Sequence, residues 1–263
     1  MRLPAIVLMS CVLGGASLAH AQGAGAPPNT GVTLPTQSDV RAVSPALERY
    51  EQGTILGNLW RRSDLSPRDR SIVTLSALIA RNQAAEMPRY LGLALDSGVK
   101  PGEISGLITH LAFYSGWANA MSAVSVAKEV FGARGIGTDQ LPAAQPDLLP
   151  LDEAAEAQRA ALVAQTVRPI APGLDQFTTD TLFRDLWLRP DLAPRDRSLV
   201  TVSALITAGQ AAQVPYHLNR AMDNGLTRAE ASEVVAHLAF YAGWPNAFSA
   251  VPVVKGVFDS HPN

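Results

Sequence analysis

One stretch of this chain occurs twice. Leu65-Ser-Pro-Arg-Asp-Arg-Ser71 returns as Leu192-Ala-Pro-Arg-Asp-Arg-Ser198, and His110-Leu-Ala-Phe-Tyr-Ser-Gly-Trp117 returns as His237-Leu-Ala-Phe-Tyr-Ala-Gly-Trp244, both at an offset of 127 positions. The same offset aligns Trp60–Phe131 with Trp187–Phe258 without a gap, and about 41 of those 72 positions are identical. Val40-Arg41 and Val167-Arg168 extend the match upstream. Two copies of this length predict two tandem domains, since a solenoid needs more and shorter units. At 263 residues and 47% hydrophobic content, the chain has enough apolar material to bury a core.

Each copy reads as helices. Ser66 is placed to cap a helix, with Pro67 at its first position and Asp69 three residues after the cap. The apolar run Ile72, Val73, Leu75, Leu78, Ile79 follows, and Asn82 can end it. Ala193 replaces the capping serine in the second copy, which predicts a weaker helix start. A second helix begins near Pro88 and Pro215 and stops at Gly98 and Gly225. Thr227-Arg-Ala-Glu230 is a capping box for the next helix, and Lys100-Pro-Gly-Glu103 is its poorer twin. That helix carries His110 or His237 and ends near Gly116 or Gly243; a last helix follows, with Pro245 at its start. Asp152–Ala164 also looks helical. No alternating β-branched run competes, so the predicted class is all-α.

The N-terminal residues have the form of a targeting signal. Arg2 precedes the apolar and small run Pro4–Leu18, and Ala19-His20-Ala21 matches a cleavage site. The expected division is therefore a signal peptide at 1–21, a flexible arm at 22–38, the first repeat at 39–134, a Pro-rich linker at 135–150 and the second repeat at 151–263. The mature protein is expected to be secreted or periplasmic. The apolar run is shorter than the roughly 20 residues a span needs, so no membrane contact is expected after cleavage. Lipidation at Cys11 is the alternative. Cys11 is the single cysteine, so the mature chain would have no thiol for redox work, nucleophilic catalysis or metal binding. A formal charge of −2 and a pI near 6.2 argue against nucleic acid as a partner.

The strings Pro-Arg-Asp-Arg-Ser, His-Leu-Ala-Phe-Tyr-x-Gly-Trp and Asn-Ala-x-Ser-Ala-Val, each present twice, resemble the carboxymuconolactone decarboxylase family. The resemblance implies the alkylhydroperoxidase D-like helical fold. It also implies a homo-oligomer, with two domains per chain allowing a trimer in place of a six-domain ring. The peroxidase branch of this family resembles Glu-x₁₁-Cys-x-x-Cys-x-x-x-His. Those places fall here on Ser198, Gln210, Gln213 and His217, and on Ser71, Gln83, Glu86 and Tyr90. The thiols are missing from both copies, which excludes thiol peroxidase and disulfide reductase chemistry.

The decarboxylase branch implies a reaction in which a carboxylated lactone takes up its own electron pair, with no cofactor. Such a reaction needs a cation for the carboxylates, donors for the developing oxyanion and an acid for carbon. The candidate catalytic residues are His217, proposed as the acid, with His237 and His110. The candidate substrate-binding residues are Arg195, Arg197, Arg68, Arg70, Gln210 and Gln213. Each has a plainer reading. His110 and His237 suit satisfied core positions. The four arginines, in the first turn of a helix whose dipole disfavours them, suit an ion network with Asp69 and Asp196. Tyr114, Tyr241, Trp117 and Trp244 suit core or inter-domain packing. No metal-binding spacing occurs. The function predicted is cofactor-independent acid/base decarboxylation or isomerisation of a small carboxylated lactone or keto acid. The alternative is a non-catalytic small-molecule-binding or scaffold module. Convergence of His217 and His237 with an arginine on one pocket would favour the enzyme.

Overall fold

The two PRDRS helices are buried on every side, and the rest of the molecule is arranged around them. The structure is a computed structural model that describes residues 34–261; the expected signal peptide, Cys11 and most of the expected N-terminal arm lie outside those residues. The first repeat contributes α1 (Gln37–Val43), α2 (Pro45–Tyr50), α3 (Pro67–Ala80), α4 (Met87–Asp96), α5 (Pro101–Tyr114) and α6 (Trp117–Ala133). The second contributes α7 (Glu153–Thr166), α8 (Pro172–Phe177), α9 (Pro194–Thr207), α10 (Val214–Asp223), α11 (Arg228–Ala242) and α12 (Trp244–Ser260). No strand occurs among the described residues. A π-helical turn follows the short helix in each repeat, at Glu51–Leu56 and Thr178–Phe183. No helix among them is long and apolar enough to cross a membrane.

The local signals act as the residues dictate. Ser66 accepts the backbone N–H of Asp69 at 3.1 Å, whereas Ala193 offers α9 no side-chain cap. Thr227 and Glu230 close a reciprocal box at the start of α11. Asn82 (φ 52°) ends the α3 turn in the left-handed region, where the second repeat has Gly209 (φ 71°). Asparagine is among the few side chains that tolerate this conformation. Residues 135–150 are tied to the second repeat: the N–H of Leu149 donates to the Leu188 carbonyl at 2.7 Å, and Arg189 donates to those of Ala143 and Ala144.

The two repeats share one core. α3 packs on α9, α5 of the first repeat lies against α9 of the second, and α11 lies reciprocally against α3. Leu65, Ile72, Leu75, Leu107 and Leu111 join Leu192, Leu199, Val202, Val234 and Leu238 in one apolar cluster. Hydroxyls inside α3 and α9 are satisfied within their own helix: Thr74 and Thr201 donate to the carbonyls of Arg70 and Arg197, one turn back, at 2.8 and 2.9 Å. At Gly106 the approach is closest. A Cβ there would lie 2.9 Å from Cβ of Asp191, so a side chain on α5 would displace the second repeat.

Candidate functional site

The crossing of α5 and α11 puts each histidine of the repeated motif into the opposite repeat. In the first cluster His237 meets Arg70 and Thr74. Thr74 spends its proton on the Arg70 carbonyl, so Nε2–H of His237 donates to Thr74 Oγ1 (2.8 Å) and Nδ1 accepts from Arg70 (3.3 Å). In the second cluster His110 is held identically by Thr201 (2.7 Å) and Arg197 (3.3 Å). Both rings are 0% exposed, and both are neutral. Burial, reinforced by the adjacent arginine, pushes His237 down to about 3 and His110 well below the usual histidine range. With both nitrogens engaged, these histidines position their neighbours and do not touch a ligand.

Their arginines are interior groups as well. Arg70 is fully buried and pairs with Glu233 at 2.9 Å, while Arg62 clamps the same carboxylate from outside at 2.8 Å. Position 233 of the second repeat corresponds to Gly106 in the first, so Arg197 has no equivalent partner. The buried carboxylate nearest in effect is Asp191, 1% exposed, which pairs directly with Arg189 at 2.9 Å and offsets the Arg197 charge only through space; the corresponding Asp64 is solvent-exposed. Burial lowers Arg197 to about 10 despite the opposing effect of Asp191. Each repeat has thus kept one buried carboxylate acting on its inner arginine, but at different positions.

Arg68 and Arg195 are saturated. Arg68 binds Asp196 and Glu103, each at 2.7 Å, and Asp69 at 3.2 Å. Arg195 binds Glu230 at 2.7 Å, Asp69 at 2.8 Å and Asp196 at 2.9 Å. This ladder staples the repeats together and engages each guanidinium with three carboxylates, which favours the ion-network reading of Arg68 and Arg195, while Arg70 and Arg197 are interior groups. Gln210 and Gln213 are exposed on the turn before α10, and neither lines a cavity. His217 and His237 do not converge on one pocket, so that particular support for the enzyme is lacking. His217 belongs with His110, and His237 lies in the other cluster. Trp117 and Trp244, expected in packing, are 64% and 51% exposed.

His217 differs from its fellow histidines. It stacks on Trp187 (centroids 5.6 Å, 12° between planes) and meets Tyr114 and Tyr216 edge-on at 5.3 and 5.0 Å. Its Nδ1 is buried with no hydrogen-bond partner, and 8% of the residue remains exposed. Burial and then the nearby Arg220 lower its pKa to about 4, so it too is neutral near pH 7. Arg220, one turn further along α10, was missed by the sequence reading. Its guanidinium carbon sits 4.3 Å from the Trp187 ring centroid, and no carboxylate among the described residues pairs with it. Arg220, Trp187 and Tyr216 line a cavity of about 630 Å³, with Leu149, Leu162, Phe183 and Leu188 on its apolar side and Asp152, Asp223 and the Glu156–Arg159 pair on its polar side; His217 lies behind Trp187 and Tyr216. The signal for Arg220 was present in the repeat itself, because position 220 corresponds to Leu93. A cation on one copy facing leucine on the other marks divergence at an otherwise shared helix.

The first cluster has Tyr90 where the second has His217. Tyr90 and Tyr241 share a hydrogen bond at 3.1 Å, and Trp60 Nε1 donates to Tyr241 at 2.8 Å. Both phenols line a separate cavity of about 430 Å³, with Gln83, Glu86 and Arg81 at its edge. Among the described residues no cluster of three or more His, Cys, Asp or Glu side chains is placed to hold a metal ion.

Comparison with known proteins agrees with this duplicated architecture. The model of the carboxymuconolactone decarboxylase family matches residues 41–129 and again 172–256. A 4-carboxymuconolactone decarboxylase of Acinetobacter baylyi is 35% identical over 82 residues, covering 31% of this chain and 61% of that protein. A nitrosuccinic acid decarboxylase of Metarhizium robertsii is 32% identical over 84 residues, covering 32% of this chain and 58% of that protein. The chain thus spans about three fifths of the length of each relative. With its two repeats matched in turn, the chain belongs to the carboxymuconolactone decarboxylase family.

Proposed function

We propose that the chain is a carboxy-lyase-like enzyme that removes CO₂ from a small carboxylic acid carrying its own electron sink, and that the second-repeat cluster does the work. One observation carries this reading: His217 and Arg220, one turn apart on α10, both bear on Trp187 beside a cavity large enough for a small acid. The names of the two relatives support the class, since each acts on a carboxylic acid with an electron-withdrawing group, a lactone in one case and a nitro group in the other.

The chemistry assigns the roles. A cation on the departing carboxylate would stabilise the ground state and add nothing to the rate, because only interactions that strengthen in the transition state accelerate it. Arg220 is therefore placed on the sink oxygens, where charge accumulates. The departing carboxylate faces the apolar wall of Leu149, Leu162 and Phe183. The C–C pair moves into the sink as CO₂ leaves. The resulting enolate-type carbon then takes one proton from water, relayed by His217. His217 starts neutral, as its lowered pKa requires, so its one N–H proton goes to that carbon and its other nitrogen regains a proton from water, whose hydroxide leaves with CO₂ as bicarbonate.

The test is CO₂ release by the purified chain from a carboxylated butenolide and from nitrosuccinate. His217→Gln is expected to lower kcat by at least about a hundredfold, the usual contribution of a positioned proton-transfer group. Arg220→Leu installs the residue found at the matching position of the first repeat and is expected to do the same. Unchanged rates in both variants would remove the second-repeat cluster from the mechanism, and no CO₂ release by the wild type would leave a non-catalytic binding module as the better reading.

A further inference from the structure

The first-repeat cavity shares no lining residue with the second, and its chemistry is different. Its floor is the phenol pair Tyr90–Tyr241, and its walls include Leu47, Ile55, Leu78 and Phe240. Hydrogen-bond counting shows what the pair still offers. Tyr241 oxygen accepts from Trp60, and one of the two phenol protons bridges Tyr90 and Tyr241. The other phenol proton has no acceptor among the described residues, so the pair retains one donor. Burial raises both phenols above the usual tyrosine value, so they remain protonated donors at any physiological pH.

Arg81 supplies the charge. One of its N–H groups donates to the Ala242 carbonyl at 2.7 Å, and no carboxylate among the described residues pairs with it. The other lining cation, Arg89, is already paired with Glu51 at 3.0 Å. Glu86, also in the lining, forms no ion pair among the described residues and opposes a second negative charge. The cavity therefore matches a compact apolar body with one carboxylate head and disfavours a dicarboxylate. Burial keeps both phenols protonated, and Tyr90 stands at the position that His217 holds in the second repeat.

We infer that the first repeat holds a second ligand site, selective for small apolar monocarboxylates, that binds without turning its ligand over. This site goes beyond the proposed lyase activity and does not depend on it. The two cavities lie at different places in their repeats, and neither cation is duplicated. Arg81 corresponds to Ala208 in the second repeat, and Arg220 corresponds to Leu93 in the first.

That correspondence supplies conservative tests, because each substitution installs a side chain the fold already carries at the matching position. Calorimetric titration of the full chain with benzoate and cyclohexanecarboxylate is expected to show binding, with cyclohexanecarboxamide and phthalate at least about tenfold weaker, the worth of a charge-assisted hydrogen bond. Arg81→Ala should weaken the monocarboxylates by a similar factor, Tyr90→Phe should weaken them less, and Arg220→Leu should leave them unchanged. Circular dichroism of each variant establishes that it is folded. Three results would overturn the inference: no binding of either monocarboxylate, equal binding of phthalate, or loss of binding in Arg220→Leu with retention in Arg81→Ala. Failure of CO₂ release alone would leave it standing.

Discussion

Glu233→Gln removes the only carboxylate among the described residues that directly pairs with the buried Arg70 and keeps the side chain's shape. Breaking one side of a buried ion pair costs about 3–5 kcal/mol, because the remaining charge is left without compensation. Arg70 retains the Arg62 carbonyl at 2.9 Å and the His237 ring at 3.3 Å, which places the expected loss at the lower end, about 3 kcal/mol. With a urea slope of about 2–3 kcal/mol/M, the unfolding midpoint falls by about 1–1.5 M. The pH dependence adds a second check. Burial opposes ionisation of Glu233, but the hydrogen bonds from Arg62 and Arg70 prevail and hold its carboxyl below the usual range. A carboxyl with a depressed folded pKa contributes stability above its unfolded value, near 4.3, and loses it as pH falls through the folded value. The difference between wild type and variant should therefore shrink in acid. The same midpoint in both proteins at pH 7, or a gap that persists undiminished to pH 3, would refute the assignment of Glu233 as the counter-charge of Arg70.

Other consequences follow from the same geometry. Asp191→Asn should destabilise the second repeat by less than Glu233→Gln does, because Asp191 pairs directly with the partly exposed Arg189 at 2.9 Å and acts on Arg197 only through space; urea unfolding measures it. Histidines 110, 217 and 237 are neutral in the fold, with His217 and His237 lowered to about 4 and about 3. The unfolded chain therefore binds more protons below about pH 6.5, and stability should fall with acidification from there toward pH 4, by up to about 1.4 kcal/mol per pH unit for each ring. A flat pH profile of unfolding over that window would contradict the buried neutral assignment. Ala193→Ser should give α9 the cap that Ser66 gives α3 and stabilise the protein by about 0.5–1 kcal/mol in thermal or urea unfolding.

The sequence carried the local structure well because local structure obeys local rules. The serine cap, the capping box at Thr227, the glycine stops and the exact offset of the copies were all legible. The crossing of α5 and α11 was not. Nothing in one dimension says that His237 answers to Thr74 and Arg70 rather than to its own repeat, so whether His217 and His237 share a pocket could not be read from the sequence. The Pro-Arg-Asp-Arg-Ser arginines were readable as an ion network, and that plainer reading is the one the structure supports for Arg68 and Arg195. Arg220 and Arg81 lay outside every motif. What marks them is asymmetry between copies, with leucine and alanine at the matching positions. Positions 233 and 106 show the same thing: a carboxylate gained on one helix accompanies one exposed on another.

The central claim is that proton-transfer chemistry resides in the second repeat, at His217 and Arg220, and that the first repeat has none. Single-turnover CO₂ release, measured in parallel for His217→Gln, Arg220→Leu, Tyr90→Phe and Arg81→Ala, tests it most directly. The account predicts near-complete loss in the first two variants and wild-type release in the last two. Loss in Tyr90→Phe or Arg81→Ala, with His217→Gln still active, would contradict it.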